Sequence, residues 1–503
     1  MNFKRASGIL LHPTSLPSQY GIGDLGPQAH AWVEISAAVG STMWQVLPLG
    51  PTGFGDSPYQ CLSSFAGNPY LISPDMLLAD GLLDTNDLVN LPQFSQNSTD
   101  YGVIIPFKIR LFNQAYDNFQ SRAPAALKTY FSDFLEKEAH WLDDFAIFMA
   151  IKDSQGGKSW SEWPLSYRIR ATSAMQDFHN THERDIDRHA FYQFLFFRQW
   201  GQLRAHAQQK GIQIVGDLPL FVAHDSADVW ANPELFFLND SGQPTVVAGV
   251  PPDYYSTTGQ RWGNPIYRWE IHAENGYSWW LNRIRAVLRM VDVVRLDHFR
   301  GFAGYWEIPA EQDTAVIGRW VTAPGKNLFN KILKSLGELP FIAEDLGEIT
   351  PDVIELRDRF QLPGMKILVF AFGDDGNHEF LPHNFPANSV VYTSTHDNDT
   401  VHGWYESIDS KTQDFTRQYL ASDGSDIAWD LIRAAWSSAA VISIASMQDI
   451  LRLGNEARMN YPGNAGGNWR WRMTEHDMFN DSWQKRLSQM NHLYRPPAAK
   501  ETN

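Results

Sequence analysis

Only one of the 503 residues is a cysteine, Cys61, so no disulfide can form within the chain. That excludes a small disulfide-stapled scaffold and agrees with a reducing compartment. Long apolar runs are lacking as well. The opening MNFKRASGILLHPTSLP has two basic residues, but its apolar stretch runs only from Gly8 to Leu11, too short for a secretory segment. Nothing approaches the run of about 18 apolar residues that a membrane span requires. Positive charge is in deficit, with 41 Lys and Arg against 57 Asp and Glu, a formal net charge of −16. Phosphate backbones are held by Lys and Arg, so no nucleic acid partner is expected. No His-Glu-x-x-His run or Cys/His ligand cluster is present, so a transition-metal site has no support. These absences describe a cytoplasmic protein, or the mature form of an imported one, acting on a neutral or cationic ligand.

Two phosphate-binding patterns fail on context. Residues 21–26 (GIGDLG) match the dinucleotide fingerprint and precede a helical pattern. Their glycines, however, begin well after the preceding apolar run has ended, and the next run carries no acid for a ribose. Gly157-Lys158-Ser159 is half of a P-loop, but Lys152 stands where the earlier glycine is required.

Aromatic side chains, by contrast, are abundant: 19 Trp, 18 Tyr and 30 Phe. Indole and phenol rings offer a flat apolar face and a polar edge. That suits sugar rings, which are apolar on one face and hydroxylated at the rim. With 43 % hydrophobic and 19 % charged residues the chain can bury a large core.

Short apolar runs rich in β-branched residues recur along it. They are Gly8-Ile9-Leu10-Leu11-His12 and residues 42–49 (TMWQVLPL), 212–222 (IQIVGDLPLFV), 291–298 (VDVVRLDH), 341–347 (FIAEDLG), 365–372 (MKILVFAF) and 389–396 (SVVYTSTH). Runs bounded by polar residues in this way predict buried parallel strands. Helical patterns lie between several of them. Residues 27–39 stop at Gly40 and residues 191–210 at Gly211, while 351–360 follow Thr350 as N-cap with Pro351 at the first helical position. Alternating βα units build a parallel sheet. Seven runs are visible, and Trp469-Arg470-Trp471 is the candidate eighth strand of an α/β fold of the (β/α)8 TIM barrel type. The runs are unevenly spaced, whereas a bare βα unit needs only about 30 residues. A single barrel over residues 1–503 is therefore expected to carry a helical insertion at about 90–205 and a covering insertion at about 225–280.

Acids fall at the ends of four of the runs: Asp217, Asp297, Glu344 and Asp397. In a (β/α)8 enzyme those ends share one face, where the chemistry sits. One acid there could be structural; four converging are hard to explain that way. Paired carboxylates without a metal suggest glycosidic chemistry, with one as nucleophile and the other as acid and base. Arg295, two residues before Asp297, shares its strand face and would hold that carboxylate ionised. Glu344, as the acid, should have a raised pKa.

The segments Arg295-Leu296-Asp297-His298, Ala343-Glu344-Asp345 and Thr395-His396-Asp397-Asn398 resemble the conserved regions of the α-amylase superfamily. The resemblance implies Asp297 as nucleophile, Glu344 as acid/base, Asp397 as transition-state stabiliser and Asp217 as a substrate-binding and structural acid. Further segments are similar to the amylomaltases, or disproportionating enzymes, the 4-α-glucanotransferases of that superfamily. They are residues 12–17 (HPTSLP), 21–26 (GIGDLG), 55–60 (GDSPYQ), 216–219 (GDLP), 251–267 (PPDYYSTTGQRWGNPIY) and 460–463 (NYPG). Leu218-Pro219 replaces the Asn-His pair of ordinary α-amylases, which agrees with that branch. Phe54 stands where the family often has Tyr, so a secondary glucan groove there would lose a hydroxyl. The resemblance implies transfer between α-1,4-glucans such as maltooligosaccharides, amylose or dextrins, with no cofactor and no metal. It implies that Tyr59 stacks under a sugar while His298, His396 and Asp374 hydrogen-bond its hydroxyls. Asp253, Gln260 and Trp262 would serve the acceptor or donor side, and Ser57, Arg295 and Asn464 join the implied substrate-binding set. A hydrolytic α-glucanase on the same barrel is the alternative, and a glucan-binding protein without activity would have lost one of these acids.

Overall fold

The computed structural model describes residues 3–253, 256–373, 376–464 and 466–496. Within them the strands are β1 (Ala6–Leu10), β2 (Met43–Gln45), β3 (Gln213–Leu218), β4 (Val246–Val250), β5 (Gln260–Pro265), β6 (Val293–Leu296), β7 (Gly304–Pro309), β8 (Arg319–Thr322), β9 (Phe341–Ala343), β10 (Gly364–Ile367), β11 (Ser389–Tyr392) and β12 (Ile442–Ser446). Eight of them close a barrel in the order β1-β12-β11-β10-β9-β6-β3-β2. Every neighbouring pair is parallel. Val, Ile and Leu fill these strands because both faces are covered, one by the lumen packing and one by helices. One polar contact spans the lumen, where the Tyr392 hydroxyl donates to Gln45 Oε1 at 2.8 Å with both residues buried.

The seven apolar runs each overlap a barrel strand, but the eighth lies elsewhere. β12 pairs with β1 from Ala6↔Ile442 to Leu10↔Ser446 and with β11 on its other side. Its sequence, ISIAS, alternates Ile with small residues because Ser443 points outward and donates to the Ala435 carbonyl of helix Ile427–Ser437 at 2.8 Å. The expected strand at Trp469-Arg470-Trp471 is irregular chain. Trp469 has φ 63°, and Trp471 forms only an isolated bridge to Ser98.

Between β2 and β3 run three long helices, Tyr101–Arg122, Ala125–Ser154 and Thr172–Gln209. They pack through aromatic faces: the rings of Phe119 and Phe131 both lie within 6 Å of Phe191. The last helix turns into β3 through Gly211 at φ 74°, a left-handed position that favours glycine. Between β3 and β6 come β4 and β5, and here the fold exceeds the expectation of a loop. These strands join β7 and β8, which leave the barrel after β6, in an antiparallel sheet ordered β5-β4-β7-β8. The cover is thus one sheet built from two insertions. Among the described residues no helix is long and apolar enough to cross a membrane.

Helix Asp481–Tyr494 packs beside helix Ile427–Ser437 and is tied to β1 through one buried amide. Asn491 Oδ1 accepts from Ser7 Oγ at 2.6 Å and from Trp436 Nε1 at 2.7 Å, while Nδ2 donates to the Val39 carbonyl at 2.7 Å. Asn491→Leu would strand three buried polar partners. It should lower unfolding free energy by about 2–5 kcal/mol in urea titration.

Candidate active site

The parallel register decides which side chains meet. Asp217 on β3 pairs with Arg295 on β6, so acid and guanidinium stand side by side at the top of adjacent strands. Arg295 Nη1 donates to Asp217 Oδ2 at 2.6 Å and to Asp297 Oδ1 at 2.9 Å. The Tyr59 hydroxyl donates to the same Asp217 oxygen at 2.7 Å. Burial pushes the Asp217 carboxyl up to about 6 against the downward pull of Arg295. Burial also raises the Tyr59 phenol well above its usual range, so it remains a donor. The expected alignment of Arg295 with Asp297 on one strand face is therefore met, and the guanidinium serves a second carboxylate as well.

Glu344 follows β9 directly, and its amide N–H donates to the Leu296 carbonyl of β6 at 3.1 Å. His298 adopts φ 51°, which turns its backbone N–H onto Glu344 Oε2 at 2.6 Å. That bond favours the ionised form, as does Arg295, but burial dominates and holds the carboxyl well above the usual carboxylate range. The opposite holds at Asp397, beyond β11. Its Oδ2 lies 3.1 Å from His396 Nε2, and Asn460 Nδ2 donates to its Oδ1 at 2.7 Å. Burial opposes ionisation here too, yet the contacts with His396 and Asn460 prevail and hold Asp397 well below the usual range.

These groups open into one cleft of about 590 Å³, lined by Asp297, Glu344 and Asp397 together with Tyr59, Trp262 and Trp469. Ser57, Gln260, Arg295, His298, His396 and Asn464 line it as well. Tyr59 lies flat against His396, centroids 5.0 Å apart and planes at 13°. His298 meets the ring of Trp262 edge-on at 4.8 Å. Its Nε2 is buried without a partner among the described residues, and burial holds the imidazole down to about 4, so the ring is neutral. β5 places Trp262 over the cleft, where its Nε1 donates to Gln260 Oε1 at 3.1 Å.

Two expected substrate contacts are not among the cleft-lining residues. Asp217 lies beneath Tyr59, its side chain fully covered, because Tyr59 and Arg295 cap it from above. Asp253 is exposed on the loop before β5, its Oδ1 accepting from the Ser256 N–H at 2.7 Å. Asp374 falls outside the described residues. Phe54 lines the cleft margin and is 78 % exposed, an apolar ring facing water. Asn460 and Trp469 enter the site without having been assigned a part in it. The motif Asn460-Tyr461-Pro462-Gly463 signalled the first of these, but irregular chain offers no periodicity from which its direction could be read.

A profile of the 4-alpha-glucanotransferase family matches residues 11–478. The 4-alpha-glucanotransferase of Thermus thermophilus is 50 % identical over 94 % of this chain and 95 % of its own length. An enzyme of the same name from Arabidopsis thaliana, described as chloroplastic/amyloplastic, is 43 % identical over 98 % of this chain and 86 % of its own. Among solved structures, the Streptococcus agalactiae amylomaltase in complex with acarbose superposes with a TM-score of 0.95 at 39 % identity, covering 98 % of this chain and 99 % of that one. These likenesses run almost end to end, so the chain belongs to the 4-α-glucanotransferase family.

Proposed function

We propose that this 4-α-glucanotransferase moves α-1,4-glucan segments between maltodextrins by a retaining double displacement. One observation carries the reading: three carboxyl groups at the ends of three barrel strands line one cleft in three different electrostatic settings. Asp297 is ion-paired with Arg295, burial raises the pKa of Glu344, and the donors around Asp397 lower its pKa. Asp297 attacks the anomeric carbon while the bond to the leaving O4 breaks and the Glu344 proton passes to that oxygen. The negative charge of Asp397 stabilises the positive charge that develops on the ring. In the second half, the acceptor 4-hydroxyl gives its proton to Glu344 and attacks the same carbon, releasing Asp297. His298 and His396, both facing the cleft, serve sugar hydroxyls, and Asn464 and Ser57 lie along its rim. The single half-buried thiol supports a reducing setting such as the cytoplasm for this activity.

Transfer prevails over hydrolysis when an acceptor sugar, rather than water, is held against the intermediate. Gln260 and Trp262 on β5 form the wall that would do this.

Incubation with maltotriose should release glucose and build a ladder of longer maltooligosaccharides with little net gain in reducing ends. Rising reducing ends with only shorter products would establish the hydrolytic alternative. Glu344→Gln should lose about 10²- to 10⁴-fold in kcat/KM on maltotriose. A maltosyl fluoride donor, whose leaving group takes no proton, should still glycosylate Asp297 in that variant, detectable by mass spectrometry. The wild-type kcat/KM should fall as pH rises through the raised Glu344 pKa, since the acid must carry its proton. That alkaline limb should vanish for the fluoride donor with Glu344→Gln. Trp262→Ala should raise the ratio of hydrolysis to transfer, read as free reducing ends per glucose released; an unchanged ratio removes Trp262 from the water-excluding wall.

A further inference from the structure

Asp397 receives support from a segment that belongs to no strand of the barrel. Residues 455–464 and 466–469 are tied together by their own hydrogen bonds: the Trp469 N–H donates to the Met459 carbonyl at 2.8 Å, and the Tyr461 N–H to Asn468 Oδ1 at 3.0 Å. Asn468 Nδ2 donates to the Asn464 carbonyl at 2.9 Å, and the Tyr461 hydroxyl to Asn455 Oδ1 at 2.7 Å. Arg458 lies over the Tyr461 ring at 4.2 Å and donates through Nε to the Asn460 carbonyl at 2.8 Å. The loop is therefore held in shape by these bonds without the Asn460 side chain. That side chain instead leaves the loop and donates to Asp397 Oδ1 at 2.7 Å. A second tie runs alongside, from Arg458 Nη2 to the Asp397 carbonyl at 2.8 Å.

We propose that Asn460 is a positioning residue for Asp397, fixing the carboxylate plane so that its charge faces the reacting sugar. The inference rests on the catalytic reading of Asp397 given above. With His396 on Oδ2 and Asn460 on Oδ1, both oxygens have a partner, and a carboxylate held at both ends cannot rotate out of line. The loop that carries Asn460 also presents Tyr461, Asn464 and Trp469 to the cleft, so the wall that meets the glucan is the wall that orients the acid. Among the described residues, the charged and titratable groups around Asp397 are His396, Arg295, Tyr59, Asp297 and Glu344 of the same cleft and, through the backbone, Arg458. An aspartate at position 460 would add another anion to this set and make Asp397 harder to ionise.

Wild type, Asn460→Ala, Asn460→Asp and Asp397→Asn would be compared on maltotriose for kcat, KM, the pH dependence of kcat and thermal unfolding. Asn460→Ala should lose about 10- to 100-fold in kcat, the worth of one hydrogen bond to a charged group, with KM within a few-fold and unfolding unchanged. Asn460→Asp should lose at least as much and should move the acid limb of kcat to higher pH, a shift that damage to the loop alone would not give. If Asp397→Asn is inactive while Asn460→Ala keeps the wild-type kcat, the positioning role is overturned and the catalytic reading stands. A kcat loss in Asn460→Ala that tracks a lowered unfolding temperature, with no pH shift in Asn460→Asp, overturns it too. Full activity in Asp397→Asn overturns the catalytic reading itself.

Discussion

The guanidinium of Arg295 holds two carboxylates on adjacent strands at once, and the order of the cleft floor follows from it. Asp217 and Asp297 both reach toward Nη1, one from below and one from the cleft side. Two anions so close in a buried setting would otherwise share a proton. Arg295 is itself almost fully buried, and the paired acids hold its pKa well above the usual value, so it is a fixed charge at any working pH. Tyr59 then bonds Asp217 from above, and its ring rests on His396. The arrangement runs from β3 through β6 to the residue before Asp397, so one buried cation organises three sides of the cleft.

The division of labour among the acids comes from their neighbours rather than from their kind. Glu344 and Asp397 are both buried carboxyl groups, yet burial wins at one and hydrogen bonding at the other. The difference is one of donors. His298 gives Glu344 one backbone N–H, whereas His396 and Asn460 supply Asp397 with two side chains. The left-handed backbone at His298 places that residue's N–H on Glu344 while leaving its imidazole in the cleft. A backbone conformation that non-glycine residues seldom adopt is thus retained where it serves two purposes.

Much of this was legible in the sequence, and the reasons are physical. The strands within VDVVRLDH and FIAEDLG are mostly apolar because they are buried, and they turn polar toward the C-terminal end, so both barrel and acids announce themselves. ISIAS did not, because small residues facing a helix interrupt its apolar run and no acid ends it. Trp469-Arg470-Trp471 misled for the converse reason: bulky aromatic residues suit a strand, but here Trp469 lines the cleft from irregular chain and Trp471 makes only an isolated bridge. Asp217 was recognised as an acid of the site, yet its place beneath Tyr59 depends on a contact between residues 158 positions apart. The partnership of β4 and β5 with β7 and β8 was invisible for a similar reason, since no local pattern reports that two insertions pair with each other.

The closing pair of the barrel has a consequence for how the chain is made. β1 is synthesised long before its partner β12 at residues 442–446, and Asn491 then ties Ser7 to the last described helix. Until those late residues leave the ribosome, one side of β1 is an unpaired strand edge of apolar sequence, open to wrong partners. The barrel cannot become a closed cylinder until β12 has followed the other seven barrel strands. Shielding of that edge in the nascent chain is therefore a requirement of this topology, whatever the final stability of the folded enzyme.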